Sequence, residues 1–159
     1  MKKTITITLI IALISCIFLS IPVSATTADN TERTIEYLDN GDYIETIITD
    51  DTANPGISLY ATNTITKTKT RYYKNSSGTV LWSVAIKATF SYNGSTSTCT
   101  SCSHITTAPA SAWSIKSASH SKSGNTATAK ATATWKTSAG SKDYSMSVTI
   151  KCSATGVVS

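Results

Sequence analysis

From Ala61 to Ser159 the chain carries one carboxylate, Asp143, and two histidines, His104 and His120. Glycoside hydrolysis by the usual route needs two carboxyl groups flanking the bond, which a lone Asp143 cannot supply. A Ser–His–Asp triad can be drawn from Asp143, either histidine and one of many serines, but no nucleophile elbow surrounds any of those serines. No glycine-rich phosphate loop is present, and Asp50, Asp51 and Asn54 lack the spacing of a calcium loop. The residue types therefore predict a protein that is not an enzyme and uses no cofactor.

The cysteines offer a different chemistry. With Cys16 set aside in a leader, Cys99, Cys102 and Cys152 remain, an odd number for an exported chain. A two-residue turn at Asn93-Gly94 sets Cys99 opposite Ala88 on an apolar face. Cys152 lies on the apolar parity of the last strand, and Cys102 has the opposite parity. The expectation is a Cys99–Cys152 disulfide, worth roughly 3–4 kcal/mol through loop closure, with Cys102 a free thiol. Cys102–Cys152 pairing is a one-step alternative, and an intermolecular bridge through Cys102 is another. Zinc held by the three cysteines and His104 has a sufficient ligand count but unconventional spacing. A Cys-x-x-Cys redox pair lacks the helix N-terminus that activates its thiolate.

The third kind of chemistry is electrostatic. The net charge of +5 conceals a division. Residues 26–60 hold eight acids against Arg33, a net −7, whereas residues 61–159 hold eleven Lys and Arg against Asp143, a net +10. Lys67, Lys69, Arg71, Lys87, Lys130, Lys136 and Lys151 fall on the polar parity of their strands. They are the expected anionic-ligand surface, suited to an anionic cell-wall polymer or a membrane surface; the plainer reading is that they solubilise the domain and guard its edges. Nucleic acid is not expected, because few aromatic residues accompany the cations. The acidic arm can itself dock on the basic domain. One expectation is thus a secreted, non-enzymatic binder of an anionic surface component. The alternative is an antimicrobial or toxin-like protein made as a precursor, its acidic pro-segment cut near Gly56–Ala61.

The elements that must position these residues read as strands. Met1-Lys2-Lys3, the apolar run Thr4–Ser20 and Val23-Ser24-Ala25 make residues 1–25 a signal peptide cut after Ala25, which predicts an extracellular or cell-surface protein. An uncleaved anchor, or lipidation at Cys16 after Leu13-Ile14-Ser15, are the other readings. Residues 26–60 form the acidic arm, with a hairpin of 34–38 and 43–47 around Asn40-Gly41. In that register Glu36 faces Glu45 and Asp39 faces Asp42. A linker follows from Asp50 to Gly56. Residues 61–159 form the basic domain, in which strands alternate at 61–73, 79–92, 95–103, around Trp113 and Ile115, 126–136 and 143–152. Ser and Thr supply 53 residues of the chain, one in three, mostly on the outward parity. The fold class is all-β, an antiparallel sandwich of about six to seven strands.

The order Cys99, Trp113, Cys152 resembles the Cys…Trp…Cys pattern of immunoglobulin-like sandwiches. It covers only the basic domain, and the position two before Cys152 is Ile150 where that family places Tyr. The wider layout, a leader, an acidic arm and a Thr/Ser-rich β domain, is similar to small secreted proteins of Gram-positive bacteria. The resemblance implies an immunoglobulin-like fold and export, and it transfers no catalytic residue.

Overall fold

A computed structural model describes residues 32–52 and 62–159 of the chain. The expected signal peptide at 1–25, residues 26–31 of the acidic arm, Asn54 and the Gly56–Ala61 segment lie outside the described residues. Eight strands follow in order: β1 (Glu32–Tyr37), β2 (Tyr43–Asp50), β3 (Asn63–Lys74), β4 (Val80–Tyr92), β5 (Ser97–Thr107), β6 (Trp113–Ser123), β7 (Thr126–Thr137) and β8 (Gly140–Lys151). Every pairing is antiparallel, in a five-stranded sheet β1-β2-β3-β4-β5 and a three-stranded sheet β6-β7-β8. The period-two alternation is clearest in β7 and β8, each of which buries one face and wets the other, whereas β1 is exposed throughout.

The core shows why two sheets form. Along β4 the inward residues Trp82, Val84, Ile86, Ala88 and Phe90 are fully or almost fully buried. Opposite them β7 presents Ala127, Ala129, Ala131 and Ala133, and β8 adds Met146, Val148 and Ile150 to the same cluster. Large side chains on β4 meet the small ones of β7, so the two faces interdigitate. Each large buried side chain contributes roughly 1.5–3 kcal/mol of transfer free energy.

The basic domain supplies six strands, β3 to β8, within the expected number, and the acidic hairpin adds two. The hairpin is not a separate arm but joins the larger sheet: β2 pairs with β3 from Tyr43↔Lys74 to Asp50↔Lys67. Immunoglobulin-like sandwiches distribute consecutive strands between their sheets. Here the first five strands run in one sheet and the last three in the other, so the resemblance extends to two antiparallel sheets and not to their strand order.

The hairpin register differs as well. Leu38 N donates to Asp42 O (2.9 Å) and Gly41 N to Leu38 O (3.0 Å), so the turn holds three residues, Asp39 to Gly41. Gly41, at φ 83°, supplies the left-handed residue this turn requires. One extra residue flips the pairing. Glu36 lies opposite Ile44 and Glu45 opposite Ile35, so the expected confrontation of like charges does not occur.

Candidate functional site

The five-stranded sheet is wider than its partner, and β3 runs beside the margin of the smaller sheet, where Arg71 Nη1 donates to the Ser147 carbonyl of β8 (3.1 Å). Lys67, Lys69 and Arg71 lie cross-strand from Ala88, Ile86 and Val84, and hence on the core-side face of the sheet rather than its outer face. They reach past β8 toward β2 and β1. There Lys67 meets Asp50 (3.3 Å) and Arg71 meets Glu36 (2.8 Å). On the opposite face Lys87 meets Asp51 (3.2 Å), and the buried Glu45 is held between Arg33 and Lys74. The hydrogen bond from Lys74 holds the Glu45 carboxyl below the ordinary value, with Arg33 adding to it against the cost of burial. Asp50 is also lowered, first by its side-chain hydrogen bond with Thr52. Residues 32–52 and 62–107 together carry six cations and seven acids, a net −1.

The three-stranded sheet is different. Residues 113–151 carry six lysines and Asp143, a net +5. Asp143 is bound to Lys116 Nζ (2.5 Å) and accepts from Thr134 Oγ1 (2.7 Å), and these bonds, Lys116 first, lower its carboxyl. The outer face of β7 aligns Thr126, Thr128, Lys130, Thr132, Thr134 and Lys136, flanked by Ser and Thr of β6 and β8. Some of these hydroxyls pair across strands, Thr128 with Thr149 and Thr132 with Ser145, both at 2.9 Å. A groove of about 350 Å³ crosses the middle, where Lys130 is ringed by Ser117, Ser119, Thr132, Ser145 and Ser147. Lys151 lies cross-strand from Thr126, and Lys136 is six residues beyond Lys130. At ~3.3 Å per residue they flank Lys130 at roughly 13 and 20 Å.

The seven cations expected on one surface are therefore divided. Lys67, Lys69 and Arg71 occupy the core-side overhang of the large sheet, Lys87 its outer face, and Lys130, Lys136 and Lys151 the outer face of the small sheet. Parity reports which way a side chain points along its own strand, and carries no information on how far the facing sheet extends.

Among the described residues Cys99, Cys102 and Cys152 are free thiols, so the expected Cys99–Cys152 disulfide is not formed. The turn after β4 is closed by Asn93 N donating to Thr96 O (3.2 Å), so its two central residues are Gly94 and Ser95, one position beyond the Asn-Gly reading. Cys99 consequently faces Phe90, and a bulge beside Phe90 then sets Cys102 opposite Ala88. Both side chains share the inward parity, which corrects the outward assignment of Cys102. The Cys99 and Cys152 backbones bond to the turn at Gly124 and Asn125, at 2.8 and 3.0 Å. Their Sγ atoms donate to the carbonyls of Ser101 and Ser153, each at 3.3 Å. Burial, and next the adjacent Cys102, push the Cys99 thiol up, away from thiolate chemistry.

Among the described residues no group of three or more His, Cys, Asp or Glu converges as a metal site. His104 and His120 bond to each other through Nδ1 (2.6 Å) across the β5–β6 seam, while Asp143 is engaged by Lys116 and Thr134. The three members of a drawn triad are thus not assembled. No family model matches the chain, and neither a curated protein nor a solved structure matches it.

Proposed function

We propose that the chain is an exported, non-enzymatic protein that binds an anionic cell-wall polymer through the outer face of its three-stranded sheet. The observation that carries this reading is the groove in which Lys130 stands among hydroxyls, on a sheet with net charge +5. A lysine among hydroxyl donors is chemistry suited to phosphate or carboxylate oxygens. The line Lys151–Lys130–Lys136 extends the positive potential over roughly 33 Å, a length matched to a linear polymer more than to a small anion. The large sheet is poorly suited to the same task, since Lys67, Arg71, Lys74 and Lys87 are each paired with an acid of the N-terminal strands or of Asp51.

The test is retention on purified cell-wall polymer at rising salt. Retention should fall steeply between about 0.1 and 0.5 M salt as the Debye length shrinks below 10 Å. Lys130→Glu combined with Lys136→Glu should weaken it at least tenfold, while Lys67→Glu should change it little. Retention that survives 0.5 M salt, or that Lys67→Glu weakens as much as the double variant, would overturn the assignment.

A further inference from the structure

Where the β1–β2 turn meets the start of β6 and the end of β7, four aromatic rings border a cavity of about 330 Å³. Tyr73, Trp113, Trp135 and Tyr144 line it with Leu81, and Asn40 and Asp42 complete the lining. Trp113 is the hub: its ring centroid lies 5.5 Å from Tyr73, 5.0 Å from Tyr144 and 6.2 Å from Trp135, the two indoles being stacked at 19°. Trp113 and Tyr73 are buried, whereas Trp135 is 38% exposed and open to solvent. The hairpin, both sheets and four separate strands thus contribute to one concave aromatic surface.

Asp42 is the charged group of this lining. Its Oδ2 accepts from Asn40 Nδ2 (2.8 Å) and from the Tyr73 hydroxyl (3.0 Å), which fixes the carboxylate. Asn40 Nδ2 also bonds Tyr73 (3.3 Å). The donors of Asn40 and Tyr73 are therefore engaged within the cluster, and the carboxylate retains an oxygen, Oδ1, that these bonds do not use. None of the ion pairs among the described residues includes Asp42. What the pocket offers a visitor is negative charge, a free acceptor and the indole faces of Trp113 and Trp135, the Tyr144 ring being already met by Lys142 Nζ.

That combination selects a large, weakly hydrated cation. Aromatic faces attract cations through the ring quadrupole, most strongly when the cation sheds water easily. A sugar would stack on the same indoles but leave the Asp42 carboxylate without a counter-charge. The protein supplies an internal example, since Lys142 Nζ lies 5.1 Å from the centroid of Tyr144. We infer that the pocket between Asp42 and Tyr73, Trp113 and Trp135 binds a quaternary ammonium group, the trimethylammonium of choline or of a phosphocholine headgroup. This site shares no residue with the Lys130 groove, so either can fail without the other.

The experiment is a tryptophan-fluorescence titration of the full chain with choline chloride, beside its neutral isostere 3,3-dimethylbutan-1-ol and N-acetylglucosamine. Choline should give a saturable change, with the neutral isostere at least tenfold weaker. Asp42→Asn, which keeps the acceptor for Tyr73, should weaken choline about tenfold, and Trp135→Ala should weaken it similarly, with Trp135→Phe recovering part of the loss. Choline-blockable capture on phosphatidylcholine vesicles would assign the headgroup as the source, and binding of free choline alone would assign a soluble ligand; either supports the site. Equal binding of the isostere, binding of N-acetylglucosamine in place of choline, or undiminished choline binding by Asp42→Asn would overturn it.

Discussion

The five-stranded sheet carries six cations and seven acids over residues 32–52 and 62–107, and most of these charges meet a partner within the sheet. The three-stranded sheet carries six lysines, of which one pairs with the single carboxylate, Asp143. The core is divided just as unevenly, with bulky side chains from β4 against alanines from β7. The larger sheet thus balances most of its charge internally. The smaller one sets an alanine-lined central strand between Trp113 of β6 and Met146, Val148 and Ile150 of β8, and keeps Lys130, Lys136 and Lys151 on its outer face without an ion pair among the described residues. On the smaller sheet burial and electrostatic availability lie on opposite faces, so substitutions on its outer face are insulated from stability.

Substitutions can break this contrast in a graded way, read from urea midpoints. Trp82→Ala strikes the largest fully buried side chain of β4 and should cost about 4 kcal/mol by leaving a cavity. Ala129→Leu tests the complementary half. Ala129 is fully buried, and added bulk should cost about 3 kcal/mol by forcing the sheets apart; a neutral result would show that the core is loosely packed. Glu45→Gln should cost about 1.5 kcal/mol by weakening charge-assisted bonds to Arg33 and Lys74.

The same glutamate gives the contrast a pH dependence. Its folded carboxyl titrates below the unfolded value. Its contribution is therefore fully present above an unfolded carboxyl pKa of about 4.3, and is lost as pH falls through the lower folded value. The midpoint difference between the native chain and Glu45→Gln should shrink between pH 7 and pH 3. A difference that holds constant would remove the electrostatic account. The smallest expected effect is Lys130→Ser, within about 0.5 kcal/mol in stability, even though the same position should matter for retention on anionic polymer.

Much of this architecture is legible in the residues. In β4, β7 and β8 strong contrast between apolar and polar parity announces the buried face, and Trp82, Ala129 and Val148 lie where alternation assigns them. Turn lengths are less legible. Asn40-Gly41 and Asn93-Gly94 both suggest two-residue turns, yet the first loop holds three residues and the second is displaced by one position to Gly94-Ser95, and each change moves a register. The bulge at Phe90 leaves no local mark, and it alone turns Cys102 inward. β6 continues to Ser123 although the alternation fades after Ile115, because an edge strand with an exposed face needs few apolar residues. For the candidate site, the direction of Lys130 can be read from β7, but the groove around it needs serines that pairing brings from β6 and β8. The aromatic pocket is harder still, since its rings come from four strands and its carboxylate from a turn.

The position of β2 has a consequence for maturation. This strand is hydrogen-bonded on one side to β1 and on the other to β3 over eight residue pairs, and its Ile44 and Ile48 are buried. A protease that cut between residues 53 and 61 would not release a pro-segment in the ordinary sense. It would convert one polypeptide into a nicked two-chain protein whose short chain is retained as a subunit. The two fragments would migrate together under native conditions and separate only in denaturant. Freed of that subunit, β3 would become an open sheet edge with Lys67, Lys69, Arg71 and Lys74 along it, able to accept a strand from another chain.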